Sequence, residues 1–463
     1  MALAARLGLL RQRDYLKYWS ASTISLFGTQ VTQIAIPVIA VVVLRASPFE
    51  VGLLATIEFL PWIFFTLPAG VWVDRMLRRR ILVTGDLGRA LILVTIPIAY
   101  AAGVLTIWQL YVVGFVHGLL TVFFDVADQS YLPTVVERDG LVEGNAKLQI
   151  SASSAQILGA PAGGGIVALL SAPIAVAVDA ASFVGSALLI LGIRRTEAPR
   201  EPTARELAGE PRPGMRREIA EGLRYVLSNR NLRSIAACTG SSNLCSNIVF
   251  AVFAVYAYRE LELSPATIGL VGGIGGFGVL LGALLASPIA ARIGVGRTIL
   301  GSSMFFGPSA LLIPLAPASI APAFFAAGFF LQGMLGVIYN VNQVSLRQAI
   351  TPERLLGRLN GTMRFLVWGT IPVGSLIGGI LGSVAGVHIA IWIGAGLNVL
   401  TFLPILFSPV PRVQTIPEHP EEPDGVPAPG AASVAAPDRL AGSEVDELGR
   451  AGTAEPATYP DER

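Results

Sequence analysis

Twelve apolar runs, each near the length that spans a bilayer, follow one another along the chain and dominate what it can fold into. They lie near residues 18 to 44, 50 to 72, 81 to 103, 106 to 127, 147 to 170, 173 to 193, 234 to 258, 266 to 290, 297 to 315, 319 to 345, 361 to 385 and 388 to 408. A transmembrane helix needs about 20 apolar residues, and in lipid a helix satisfies its own backbone N–H and C=O groups without water. Turns as short as Ser171-Ala172-Pro173 separate some runs, which leaves room in the count but not in the class. Only 14% of the 463 residues are charged, 53% are hydrophobic and the mean hydropathy is +0.64. A soluble protein of this size could not stay dispersed with so little surface charge. Most of the 50 Gly and 31 Pro fall inside the apolar runs, where membrane helices accept them. Cys238 and Cys245, seven apart in one run, suit small buried side chains better than a disulfide or a metal pair. Arg6, Arg11, Arg13 and Lys17 precede the first run as in a secretory leader. The run from Trp19 to Leu44 is too long for a leader and no small-residue cleavage site follows it, so it is expected to remain as the first span.

The basic residues orient the spans. Arg75, Arg78, Arg79 and Arg80 follow span 2; Arg138 and Lys147 follow span 4; ten arginines lie from Arg194 to Arg233; Arg292 and Arg297 follow span 8; Arg347, Arg354, Arg358 and Arg364 surround the connection of spans 10 and 11. The opposite loops carry only Arg45 and Arg259. The positive-inside rule then puts both termini and the even-numbered loops in the cytoplasm of a multi-pass plasma (inner) membrane protein.

The chain also repeats itself. Ser47-Pro48-Phe49-Glu50-Val51-Gly52-Leu53 aligns with Ser264-Pro265-Ala266-Thr267-Ile268-Gly269-Leu270 at an offset of 217, which also sets Arg75 on Arg292 and Arg80 on Arg297. At an offset of 215, Leu141, Asn145, Gly163 and Gly164 fall on Leu356, Asn360, Gly378 and Gly379. The expected fold is therefore an all-α integral membrane protein of twelve transmembrane helices in two pseudo-symmetric six-helix bundles, with a cavity between them. The first bundle covers residues 1–193 and the second 234–408. The linker 194–233 ends in a segment whose Ile219, Leu223, Val226 and Leu227 share a helical face, as in a helix lying on the inner leaflet. From Pro409 to residue 463 the chain is rich in Pro, Ala, Glu and Gly, with four Arg against eleven acids, a charge of −7, and is expected to be a disordered cytoplasmic tail.

One loop carries a motif. Gly70-Val71-Trp72-Val73-Asp74-Arg75-Met76-Leu77-Arg78-Arg79-Arg80 resembles the loop of the major facilitator superfamily that joins spans 2 and 3, with Trp72 and Leu77 departing from the usual Leu and Gly. Asp86 and Arg89 in span 3, Asp179-Ala180-Ala181-Ser182-Phe183 in span 6, and Arg347-Gln348 with Gly357-Arg358 resemble the branch that holds macrolide-type drug exporters and a siderophore exporter. Gly159-Ala160-Pro161-Ala162-Gly163-Gly164-Gly165 is similar to the superfamily's antiporter motif, with Ala160 in place of its first Gly. Close helix packing accounts for Gly159, Pro161, Gly164 and Gly165 equally well. Asp74 at a helix end can accept from backbone N–H groups of a helix in the opposite half, and Arg75 or Arg78 can pair with Asp125 or Asp128 at the inner end of span 4. Gly70, Asp74, Arg75, Arg78 and Arg79, with Asp86 and Arg89 pairing mutually or joining in, would latch the cytoplasmic side; the alternative is that the arginines only set topology. The second copy has Ala291 where Asp74 stands, so such a latch is one-sided.

Within the spans, Glu58 is the sharpest residue. It lies about two turns, or roughly 10 Å, inside a run that is otherwise apolar, and an ionised carboxylate there must face a cavity or take up a proton. Proton coupling through Glu58 competes with a plain buried hydrogen bond to a neighbouring span. Asp179, Asp125 and Asp128 are further proton-coupling candidates. Gln30 and Gln33 of span 1, Asn243 and Asn247 of span 7, and Asn340 of span 10 are candidates to line the cavity or to bond between helices. So are His117, which can also serve as a structural group, and the aromatic Phe59 and Trp62, which can equally face lipid.

No phosphate-cradling Gly-x-x-x-x-Gly-Lys-Ser/Thr and no His-Glu-x-x-His or Cys/His metal pattern occurs, so neither an ATP motor, a cofactor, a metal nor an enzyme activity is expected. The resemblance implies a secondary active transporter: proton-coupled efflux, by alternating access, of a small amphipathic compound such as a drug, antibiotic or siderophore. Its expected partners are that small molecule, protons and the lipid bilayer, with no nucleic acid, and the chain is expected to be a monomer. Uptake of a nutrient, or a receptor or scaffold without flux, remain the alternatives.

Overall fold

The computed structural model describes residues 8–73, 76–137, 140–195, 197 and 215–415, and no strand occurs among the described residues. Asp74 and Arg75, Arg138, and the chain from 416 onward lie outside them. The spans are Arg13–Val43, Pro48–Val73, Arg78–Ala101, Ile107–Val135, Leu141–Leu170, Ala172–Leu191, Arg230–Glu260, Pro265–Ile293, Val295–Ala310, Ala318–Ala349, Leu355–Val384 and Val387–Leu406, numbered 1 to 12. Eleven of these described helices are long and apolar enough to cross a membrane. The exception is span 9, whose α-helix is 16 residues long and passes into turns up to Leu315. Pro314 accounts for this, because a proline disfavours helical geometry at the residue before it. Spans 4 and 5 run further than hydropathy indicates, to Val135 and back to Leu141, because polar residues such as Asp128 and Glu143 continue the same helices.

Odd-numbered loops lie on one face of the molecule and even-numbered loops, with Gly8 and Gln414, on the other. In the first half span 1 packs on spans 5 and 6, span 3 on 4 and 6, and span 2 on 4. In the second half span 7 packs on 11 and 12, and spans 8 and 9 both pack on 10. The most extensive contacts between the halves are span 2 with 11 and span 5 with 8, which are equivalent under the repeat, and smaller ones join span 2 to 7 and the ends of spans 1 and 7. The two extensive contacts are close enough to require glycine. A Cβ on Gly52 would lie 2.6 Å from the Gly379 Cα, and one on Gly164 would lie 2.4 Å from the Pro265 carbonyl. Backbone of this proximity is the usual means of joining helices in lipid, where apolar burial gives little preference.

The repeat reaches backbone detail. Span 1 ends in a π-turn, Ile39–Val43, and span 7 in another, Tyr256–Glu260, 217 positions later. Each is followed by a non-glycine residue in the left-handed region, Arg45 at φ 52° and Glu262 at φ 51°. Each next helix is then capped by serine: Ser47 Oγ accepts from Glu50 N–H at 3.3 Å, and Ser264 Oγ from Thr267 N–H at 3.1 Å.

Two expectations about the connecting segments change. The linker helix, Met215–Ser228, docks on the start of span 11 rather than resting on the leaflet alone. Val226 is buried, Tyr225 Oη donates to the Ile350 carbonyl at 3.3 Å and Glu221 pairs with Arg358 at 2.6 Å, while Leu227 of the proposed lipid face stays exposed. The extension after span 12 is ordered at its start. Val410–Arg412 forms a 3-10 turn with Val410 fully buried, and the Val413 and Gln414 carbonyls accept from Gly296 and Val295 at 2.8 and 3.1 Å. These are amides that the first turn of a helix leaves unpaired, which is why the segment is held.

Candidate transport site

The buried charge of the first half centres on span 3. Asp86 and Arg89, one turn apart, form an ion pair with each other, and their side chains are 0% and 5% exposed. The guanidinium lies between the rings of Phe124 in span 4 and Phe183 in span 6, 4.0 and 4.2 Å from their centroids. Delocalised charge between two aromatic faces suits arginine and not lysine. The pair therefore binds spans 3, 4 and 6 together and does not reach the loop motif.

Two further acids tie span 1 to its neighbours. Asp179 is fully buried, accepts from Thr32 of span 1 and from Ser182 at 3.0 Å, and sits against Gly28. Asp128 accepts from the hydroxyl of Tyr18 at 2.7 Å. Asp125 is half-buried one turn earlier in span 4. Arg78 makes no ion pair with Asp125 or Asp128 among the described residues, and the other arm of that expectation, a pair made by Arg75, lies outside them. Instead Glu197, just past span 6, accepts from the amides of Arg78 and Arg79 at 2.8 and 2.5 Å, and the Arg79 guanidinium donates to the Leu191 carbonyl. Glu197 thus caps span 3 from within the same half, a residue the sequence did not single out. Its signal was an acid just beyond a span, facing a basic helix start. The Asp74 and Arg75 part of the latch lies outside the described residues, and a Cβ added at Gly70 would meet nothing within 4 Å.

Glu58 stands apart from all of these. It is half-buried on span 2 and makes no hydrogen bond or ion pair among the described residues. Its Cγ packs where Gly114 of span 4 leaves room, 2.8 Å from a Cβ built there. On neighbouring turns of span 2, Thr56 Oγ donates to the Pro372 carbonyl of span 11 at 3.2 Å, and the Trp62 ring meets Trp368 edge to face at 5.6 Å. The carboxyl thus lies on a helix that contacts both span 4 and the opposite half. Phe59 is half-buried beside it.

The other cavity candidates separate. Gln33 is exposed on span 1, whereas the Gln30 side chain packs on Gly159 of span 5. Asn243 donates to the Val367 carbonyl of span 11 at 3.1 Å, and Asn247 donates to the Asn243 carbonyl at 2.8 Å. Asn340 is exposed and accepts from Gln343 at 2.9 Å. His117 is half-buried; its ring faces Phe183 at 6.0 Å, and its buried Nε2 has no partner among the described residues. It therefore turns toward span 6, inside the first bundle.

The glycine motif of span 5 divides its labour. Gly159 and Gly163 seat span 1, Pro161 and Gly164 seat Gly273 and Gly269 of span 8, and a Cβ at Gly165 would meet nothing within 4 Å. Close approaches between spans 5 and 8 run from Gly164 at the odd-loop side to Gly276 against Gln156. Beyond these, toward the even-loop face, Ile150 is 65% and Leu284 65% exposed. At the odd-loop face Arg259, at the end of span 7, donates to the carbonyls of Val41 and Ala46 at 2.8 and 2.9 Å. The halves are thus held together on that face.

Two pseudo-symmetric bundles with polar groups on the helices between them define a membrane transporter of the major facilitator superfamily. Over residues 4–439 the chain matches the family described as transmembrane secretion effectors, and it belongs to that family. The multidrug efflux pump Tap of Mycolicibacterium fortuitum is 28% identical over 78% of this chain and 87% of its own length. An uncharacterized MFS-type transporter of Bacillus subtilis, YfiS, is 25% identical over 84% and 89%. Among solved structures, a bacterial homologue of the iron transporter ferroportin in an inward-facing state superposes with a TM-score of 0.67 at 16% identity, covering 86% of this chain and 98% of that one. A bacterial homologue of the lysosomal transporter Spinster superposes with a TM-score of 0.66 at 12% identity, covering 88% and 97%.

Proposed function

We propose that the chain is a secondary active exporter that exchanges protons for a small amphipathic compound such as a drug, antibiotic or siderophore. The observation that carries this reading is Glu58, a carboxyl inside a span with no bonding partner among the described residues, on the helix that touches both span 4 and the opposite half. A carboxyl so placed binds and releases a proton as the crevice between the halves changes sides. The arginines of the even-numbered loops support a cytoplasmic even-loop face. On that assignment the Arg259 contacts and the packing of spans 2 on 11 and 5 on 8 close the outer side, an inward-facing state. Asp74, Arg75 and Arg78 bias the outward-open state. The efflux activity in the name of the Tap relative supports the outward direction. The chain works as a monomer, with bundles at 1–193 and 234–408, the linker between them and the extension after 408.

The test is transport into inside-out vesicles under an imposed pH gradient, with a panel of hydrophobic cations, macrolides and siderophores. Glu58→Gln is expected to abolish proton-driven uptake into these vesicles while membrane levels stay unchanged. Normal transport by that variant removes Glu58 from the mechanism, and gradient-driven movement only in the opposite sense makes the protein an importer.

A further inference from the structure

The second half holds a polar cavity, open at Asn340, that the exporter reading does not use. Spans 7, 9, 10 and 12 surround a space of 180 Å³ lined by Cys238, Thr239, Asn243, Ser303, Tyr339 and Asn340, with Phe306 and Gly336 on its apolar side. No acid or base is among its lining residues, whereas the first half buries Asp86, Arg89 and Asp179. A charged occupant would find no counter-ion among these residues to offset the hydration it gives up on entry. The cavity selects for neutral polar groups.

Its hydrogen-bonding inventory is specific. Thr239 Oγ1 uses its one proton on the Ile235 carbonyl at 2.8 Å, so in its 2.7 Å contact with Tyr339 the tyrosine is the donor. That leaves the phenolic oxygen of Tyr339 as an acceptor. The amide of Asn243 donates to Val367, and the amide oxygen of Asn340 accepts from Gln343. Left for an occupant among the described residues are the side-chain amide oxygen of Asn243, the amide nitrogen of Asn340, and the hydroxyl oxygens of Ser242, Ser303 and Thr401, whose protons go to Asn398 and Leu300. Several acceptors and a donor around a small space match adjacent hydroxyl groups, each of which both donates and accepts. Phe306 lies 3.5 Å from where a Cβ on Gly336 would be, and so presents a ring against the open side of that glycine. An apolar cavity of about 150 Å³ accepts a benzene ring, so this one has the size for a single six-membered ring with its hydroxyls.

We infer that the cavity is a binding site for an uncharged, hydroxyl-bearing six-membered ring, as in a glycoside, and that this ring is part of the exported compound. The second clause rests on the exporter reading; the first does not. Equilibrium binding of radiolabelled phenyl β-glucopyranoside to the full chain in lipid nanodiscs tests it, with phenyl β-glucuronide as the charged counterpart. Saturable binding of the glucoside is expected, at least tenfold tighter than the glucuronide. Gly336→Leu, which fills the cavity from a position with room for a side chain, is expected to abolish it. Tyr339→Phe, which removes one hydroxyl and no volume, is expected to weaken it several-fold even if the leucine variant fails to fold. Glu58→Gln is expected to bind the glucoside normally while losing transport. No saturable binding, equal binding of the glucuronide, or a glucoside affinity indifferent to both cavity variants overturns the site. Intact binding of a glucoside that no pH gradient moves overturns its assignment to cargo and counts against the exporter reading instead.

Discussion

The guanidinium of Arg259, at the end of span 7, donates to the main-chain carbonyl of Ala46, between spans 1 and 2, at 2.9 Å. A second bond reaches Val41 in the π-turn of span 1 at 2.8 Å. Both cross from one half to the other, and the position that the repeat equates with Arg259 is Val42, so the clamp exists in one copy only. A hydrogen bond to a charged group contributes about 1.5–3 kcal/mol when sheltered, and the exposure of Arg259 reduces this to roughly 1 kcal/mol for the pair of bonds. Arg259→Ala should therefore move the balance away from the state closed on this face by roughly fivefold. Spin labels at the exposed Val104 and Leu315, in odd-numbered loops of opposite halves, would report it as a second, longer distance population. An unchanged distance distribution would show that the clamp carries no weight.

Adjacent glycines of the span 5 motif should behave in opposite ways. A Cβ at Gly164 meets the Pro265 carbonyl at 2.4 Å, and backbone cannot yield as a side chain would, whereas one at Gly165 has open space. Gly164→Ala is expected to cost about 1–3 kcal/mol through overpacking, concentrated in the closed state, and to slow transport. Gly165→Ala should transport normally. Equal damage from both, in the same vesicle assay, would mean that the contact of spans 5 and 8 does not set the effect.

The buried pair in span 3 predicts a stability pattern. Arg89→Leu leaves the fully buried Asp86 without its counter-ion and should cost about 3–5 kcal/mol, seen as a large fall in thermal unfolding temperature in detergent. The double change Asp86→Leu with Arg89→Leu should recover most of that loss. A double variant less stable than the single one would show that the two residues do not act as a unit.

How much of this was legible beforehand follows the kind of interaction. Spans and orientation came from apolar length and basic loops, which are properties of segments, while the repeat and the class came from residues matched at fixed spacing, Ser47–Leu53 on Ser264–Leu270 and the Gly70–Arg80 loop. The pairing of Asp86 with Arg89 was legible because the residues are three apart, one helical turn. Glu197 capping Arg78 and Arg79 was not, because it joins positions more than a hundred residues apart through backbone amides, which have no identity in a sequence. Gln30 and Gln33 looked alike on span 1, and the contact of Gly159 with one of them separates them. The Arg259 clamp was hidden for the same reason as Glu197: its partners are carbonyls, and Val41 and Ala46 say nothing of it.

The attachment of Val413 and Gln414 to the start of span 9 sets a limit on shortening the protein. Hydropathy invites a stop codon just after Phe407, where the last apolar run finishes. A gene ended there would strip the first amides of span 9 of the Gln414 and Val413 carbonyls and empty the place of Val410. The shortest transmembrane segment would lose its brace, so trimming should start beyond Thr415.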